Sequence, residues 1–131
     1  MKKRNQEKGF TLIEIIAVLV ILGILAAVAV PKYLDLSTEA AQQAAQGQVA
    51  EMKSSLNLAY AKYFMRVGSA PTGAQTITEL GEVDDTAFTV GTSPDIWNVK
   101  LKATGDSIAI TVIDRDGDIK YAATGEWNVP S

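Results

Sequence analysis

The chain has 131 residues, 47% of them hydrophobic and 21% charged, with no cysteine, no histidine and a net charge of −3. That is room for one domain with an appendage. It excludes a disulfide framework, a Cys or His metal centre, a thiol nucleophile and a Ser-His-Asp triad, leaving only carboxylate chemistry to a catalyst. The charge is uneven. Of 12 Lys and Arg and 15 Asp and Glu, residues 1–9 hold Lys2, Lys3, Arg4, Lys8 and Glu7, so the rest of the chain is strongly acidic. An acidic body does not suit a nucleic-acid partner, and none is expected. A basic head before an apolar run suits a segment inserted with that head in the cytoplasm.

From Phe10 to Val30 only Thr11, Glu14 and Gly23 are not apolar. At about 1.5 Å per residue this helix is roughly 31 Å long, enough to cross a hydrocarbon core. A simple anchor would suffice to explain it, as would a secretory signal cut at the small residues Ala27-Val28-Ala29. Two features resist both readings. The junction at Lys8-Gly9-Phe10 is abrupt, and Glu14 sits inside the apolar run, where an acidic side chain costs on the order of 3 kcal/mol near a bilayer centre and less near an end.

The run Lys8-Gly9-Phe10-Thr11-Leu12-Ile13-Glu14 closely resembles the class III signal of type IV pilins and of the pseudopilins of type II secretion. The resemblance implies that a membrane peptidase cuts after Gly9 and that the new terminus, Phe10, is N-methylated. It implies that Glu14 is the assembly residue and that Gly23 and Pro31 interrupt the stem helix. The implied partners are further copies in a helical filament, the prepilin peptidase and methyltransferase, an inner-membrane assembly platform with its ATPase, and the membrane before assembly. The chain has no Gly-rich phosphate loop of its own, so the motor must be another protein. Physics supports the motif. A new terminal amine with a free-chain pKa of about 7.7–8 is mostly protonated at neutral pH and can pair with Glu14 of a neighbour. A wrongly staggered neighbour leaves both charges unpaired, which makes Glu14 a register device.

Beyond Pro31 the helical pattern continues. Leu34, Ala41, Ala45, Val49, Met52, Leu56, Ala59 or Tyr60, Tyr63 and Val67 form one apolar stripe, with Glu39, Gln42, Gln43, Gln46, Glu51, Lys53 and Lys62 opposite. The expectation is one long helix from Thr11 to about Val67, bent or locally open near Gly23 and Pro31. Gly68 to Gly73 should end it. Residues 74–85 read as a linking loop anchored by Ile77, Leu80 and Val83, with Glu79, Glu82, Asp84 and Asp85 as a solvated surface.

The period then changes to two. Phe88 and Val90 predict a short strand, and Trp97, Val99, Leu101 and Ala103 a half-buried one. Ser107 to Ile113 is apolar on both faces and should be central. Ile119, Tyr121 and Ala123 predict a last strand. Thr104-Gly105-Asp106 and Asp114 to Asp118 should be turns. The fold class is α+β: a long N-terminal helical spine, transmembrane then amphipathic, packed on a small antiparallel β-meander. This layout also looks like the pilin fold. The organisation expected is leader 1–9, polymerisation helix 10–30, amphipathic helix 31–68 and β-region 69–131. Many pilins staple the C-terminal region with a disulfide; here packing through Trp127 must serve.

Asp114, Asp116 and Asp118 alternate as oxygen ligands do at the start of a Ca²⁺ loop, and the resemblance to major pseudopilins adds weight to calcium there. Their spacing lacks the closing Glu of an EF-hand, with Gly125 at that position, and an ordinary turn is the preferred reading. No cofactor and no enzymatic activity are expected. The body after Pro31, Pro-Lys-Tyr-Leu-Asp-Leu, looks most like the mannose-sensitive haemagglutinin class of pilins. The function implied is a structural subunit of a surface filament for adhesion, motility or attachment. The alternative is a major pseudopilin forming a periplasmic pseudopilus. The location implied is the bacterial inner membrane as precursor, then the cell surface or periplasm.

Overall fold

Helix α1 runs from Leu12 to Val67. The computed structural model describes residues 9–130, in two units: one reaching to Ser37, the other beginning at Thr38. The basic head and most of the expected leader lie outside the described residues. In the first unit α1 carries a window of mean hydropathy 3.0, long and apolar enough to cross a membrane, and none of it is buried within the chain. The helix passes through Gly23 and Pro31 without the local opening expected there. Proline removes one hydrogen bond, and the flanking Leu, Ile, Val and Ala residues sustain the ladder around it.

In the second unit the expected stripe is buried at Ala41, Ala45, Val49, Met52, Leu56 and Ala59, with Gln48 among them. Its outer members differ, since Leu34 is 60% exposed and Val67 47%. Val67 ends α1, and Gly68 follows in the left-handed region at φ 77°, where a Cβ would be strained.

Residues 73–80 correct the loop expected at 74–85. Gly73–Leu80 is a second helix, α2, started by a reciprocal capping box. The Thr72 hydroxyl accepts from Gln75 N and the Gln75 side chain accepts from Thr72 N. Ile77 is the anchor foreseen, fully buried, whereas Val83 is 66% exposed.

Four strands follow: β1 Ala87–Thr92, β2 Asp95–Thr104, β3 Ser107–Arg115 and β4 Ala123–Asn128. They form one antiparallel meander in the order β1-β2-β3-β4. Val99 and Leu101 on β2, Ile108, Ile110 and Val112 on β3, and Trp127 on β4 meet the α1 stripe and Ile77 in one core. The strand expected from Ile119 is a 3-10 turn over Ile119–Tyr121, because the Asp118 carboxylate accepts from Lys120 N and caps it. The last strand therefore starts at Ala123 and carries Trp127 inward. At Gly125 an added Cβ would lie 2.3 Å from Val49 Cγ1, so helix and strand touch there through the missing side chain.

The C-terminal region is fastened by packing, as the sequence required. Trp127 Nε1 donates to Asn57 Oδ1 at 2.8 Å, Tyr60 packs edge-on to Trp127, and the Tyr60 hydroxyl donates to Pro130 O. At the other end of the sheet the Arg115 guanidinium lies over both Trp97 and Tyr121 and pairs with Asp95.

Candidate functional site

The sequence places the candidate site at Gly9, Phe10 and Glu14, and the structure shows what holds them. Gly9, Phe10 and Thr11 precede the helix in an exposed, non-helical segment. An added Cβ at Gly9 would meet nothing within 4 Å, and the same holds at Gly23. Neither position needs glycine for the packing of this chain.

Thr11 is the residue the sequence reading did not single out. It stands where the N-cap of α1 stands. Its backbone N donates to Glu14 Oε2 at 2.9 Å, and Glu14 N donates to the Thr11 hydroxyl at 3.3 Å. This is a capping box, and its signal, Thr-x-x-Glu ahead of an apolar run, was legible. Two of the four orphan amide groups at the helix start are satisfied, and a negative group sits at the positive end of the helix. Phe10, Glu14, Ile15, Val18 and Leu19 lie together along one side of the stem. The site thus presents an acidic group next to the terminus that cleavage after Gly9 would create.

Within the acidic group at 79–85, Asp84 and Asp85 are exposed as expected, while Glu79 departs from the solvated surface foreseen. Glu79 on α2 has a side chain only 10% exposed and pairs with Lys62 and Arg66, one turn apart on α1. Hydrogen bonds from Lys62 and Arg66 hold its carboxyl below the usual carboxylate range. Asp85 is likewise lowered by Lys100 and Lys102. Asp85 N donates to Leu101 O and Ala103 N donates to Asp84 Oδ1, which covers the edge of β2 where β1 has not yet begun.

The aspartate triplet does not converge. Asp114 Oδ1 accepts from Asn98 Nδ2 and Gly117 N, Asp116 Oδ1 from Ile96 N, and Asp118 pairs with Lys120, which lowers its carboxyl. Each carboxylate serves its own turn contact. Among the described residues no group of three or more acidic side chains surrounds a metal position.

Residues 4–30 match the model of the prokaryotic N-terminal methylation motif. The type IV narrow pilus major component PilA5 of Thermus thermophilus is 34% identical over 104 residues, 79% of this chain and 86% of that protein. The chain belongs to the type IV pilin and pseudopilin family. A fimbrial protein of Pseudomonas aeruginosa is 29% identical to this pilin over 90% of the chain and 68% of its own length. The type II secretion system core protein G of the same species is 43% identical, over 43% of the chain and 39% of its own length. No solved structure matches the pilin.

Proposed function

We propose that this pilin is the structural subunit of a type IV pilus. The observation that carries the reading is the breadth of likeness. The match to a major pilus component spans stem and body alike, whereas the match to a secretion core protein covers under half of either chain. In this reading a prepilin peptidase cuts between Gly9 and Phe10, in the exposed segment before α1, and Phe10 is N-methylated. The basic head stays on the cytoplasmic side and the stem waits in the inner membrane. An assembly platform driven by its own ATPase then passes the stem into a filament at the cell surface, where Glu14 meets the Phe10 amine of an adjacent copy. At about 4 Å and an effective dielectric near 20 that attraction is about 4 kcal/mol before desolvation is subtracted. Gly23 and Pro31 are the places where the stem can loosen on packing. The chain acts as a building block and carries out no catalysis.

The test has two readouts. Mass spectrometry of the native protein should give a mature chain that begins at N-methylated Phe10, and shearing the cells should release long filaments that contain it. A terminus at Val30 refutes the pilin processing. Correct processing without sheared filaments moves the assignment to the periplasmic pseudopilus.

A further inference from the structure

The capping box at the start of α1 treats the two carboxylate oxygens of Glu14 differently. Oε2 accepts from Thr11 N at 2.9 Å, whereas among the described residues Oε1 accepts from nothing. The Thr11 hydroxyl accepts from Glu14 N at 3.3 Å. Thr11 and Glu14 are both exposed, so packing within this chain does not fix the carboxylate. The helix start as such needs only the hydroxyl half of the box, which satisfies one free helix amide. The bond from Thr11 N to the carboxylate is a second half, separable from the first.

Glutamate is among the side chains with the most rotamer freedom to lose on being ordered. In apolar surroundings a carboxylate oxygen without a partner is also costly. Glu14 shares an open hollow of about 450 Å³ with Phe10, Ile15, Val18 and Leu19, all apolar. The box meets both demands. It occupies one oxygen while the stem waits in the bilayer, and it fixes the side chain before a partner arrives, so that docking need not order it. Threonine is stiff at χ1, which keeps its hydroxyl on Glu14 N and thereby keeps Thr11 N aimed at Oε2. The cut expected after Gly9 falls upstream of every atom in the box, so both bonds pass from precursor to mature chain.

We infer that Thr11 is a positioning residue for assembly: by holding Glu14 through Oε2 it leaves Oε1 ordered and open for the Phe10 amine of an adjacent copy. The inference rests on the pilus reading. It lies wholly within the first unit of the chain.

Thr11→Val keeps size and branching and removes the hydroxyl, whereas Thr11→Ser keeps the hydroxyl. In cells that make the filament from the full chain, Thr11→Val should lower the yield of sheared filaments about fivefold, the factor that loss of an N-cap residue carries. An immunoblot should show processed chain in the membrane unchanged. Thr11→Ser should keep the yield within about twofold. Amide hydrogen exchange on the full chain in detergent micelles reads the separable half directly. Exchange at the Thr11 amide should be slowed about tenfold or more in the unsubstituted chain and in Thr11→Ser, relative to Glu14→Ala and Thr11→Val. A bare capping role protects the Glu14 amide and leaves Thr11 exchanging equally fast in all four, and that pattern overturns the inference. So does a Thr11→Ser yield as low as that of Thr11→Val, or a loss of processed chain that accounts for the loss of filaments. If the unsubstituted chain gives no sheared filaments, the pilus reading fails and this role with it, whereas normal yield from Thr11→Val overturns this role alone.

Discussion

Gly125 lies in a strand, where glycine is normally a weakness worth about 0.5–1 kcal/mol relative to alanine. In this pilin the ordinary remedy should do harm. A Cβ at Gly125 would stand 2.3 Å from Val49 Cγ1, with Lys53 Cε at 3.5 Å. Val49 is buried and β-branched, and on a helix such a side chain has one strongly preferred rotamer, so it cannot swing aside. Overpacking of this kind costs about 1–3 kcal/mol. Taking about 2 kcal/mol, less the strand gain, leaves about 1–1.5 kcal/mol, a fall in Tm of roughly 5–10 °C for a unit of this size. The assay is a thermal scan of the full chain in detergent, followed by Trp fluorescence. The decisive comparison is a double-mutant cycle. Val49→Ala alone destabilises by removing two buried methyl groups, but in that background Gly125→Ala should raise Tm, with a coupling of about 1.5 kcal/mol or more. A rise in Tm from Gly125→Ala in the unsubstituted chain would refute the close helix-to-strand contact.

Glu14→Ala should leave processing and membrane levels normal while filament yield falls strongly. Glu14→Gln, which can still accept from Thr11 N, should fall less; an immunoblot beside a count of sheared filaments decides, and normal yield from the alanine form removes Glu14 from the register role. Glu79→Gln should alter how stability depends on pH. The folded-state carboxyl titrates below its ordinary value of 4.5, so the clamp to Lys62 and Arg66 is fully present above about pH 4.5 and is lost as pH falls through the lowered value. Urea midpoints of the two proteins should therefore differ near neutral pH and converge in acid; a gap that persists in acid contradicts the assignment.

The stem, the α1 stripe and the alternation on β2 and β3 were legible because burial imposes a period on them. Ala41 to Ala59 had to face one way, and Ile108, Ile110 and Val112 another. The α2 helix was missed because eight residues hold only two turns, too few for periodicity to separate helix from loop. Its real signal was the Thr72–Gln75 cap. The same kind of signal at Thr11 and Glu14 was hidden by the stronger processing motif overlapping it. The turn at Ile119 was missed because Ile119, Tyr121 and Ala123 alternate correctly for a strand. The turn is closed by backbone bonds from Tyr121 N to Asp118 O and Ala122 N to Ile119 O, with the Asp118 carboxylate capping its start. Glu79 looked like surface because its cations sit on another element, and a sequence does not announce which lysine an acid will meet.

The fastening of the tail by Trp127, Asn57 and Tyr60 bears on how the body is made. A covalent staple needs an oxidant, and it can close on the wrong partner before the sheet has found its register. Here the tail closes by the same event that seats β4 on the core, because Trp127 belongs to both. Closure is reversible, requires no redox enzyme, and cannot trap a body whose β4 is out of place. The chain can therefore reach its final form in a reducing or an oxidising compartment alike, and a subunit that opens transiently can shut again unaided.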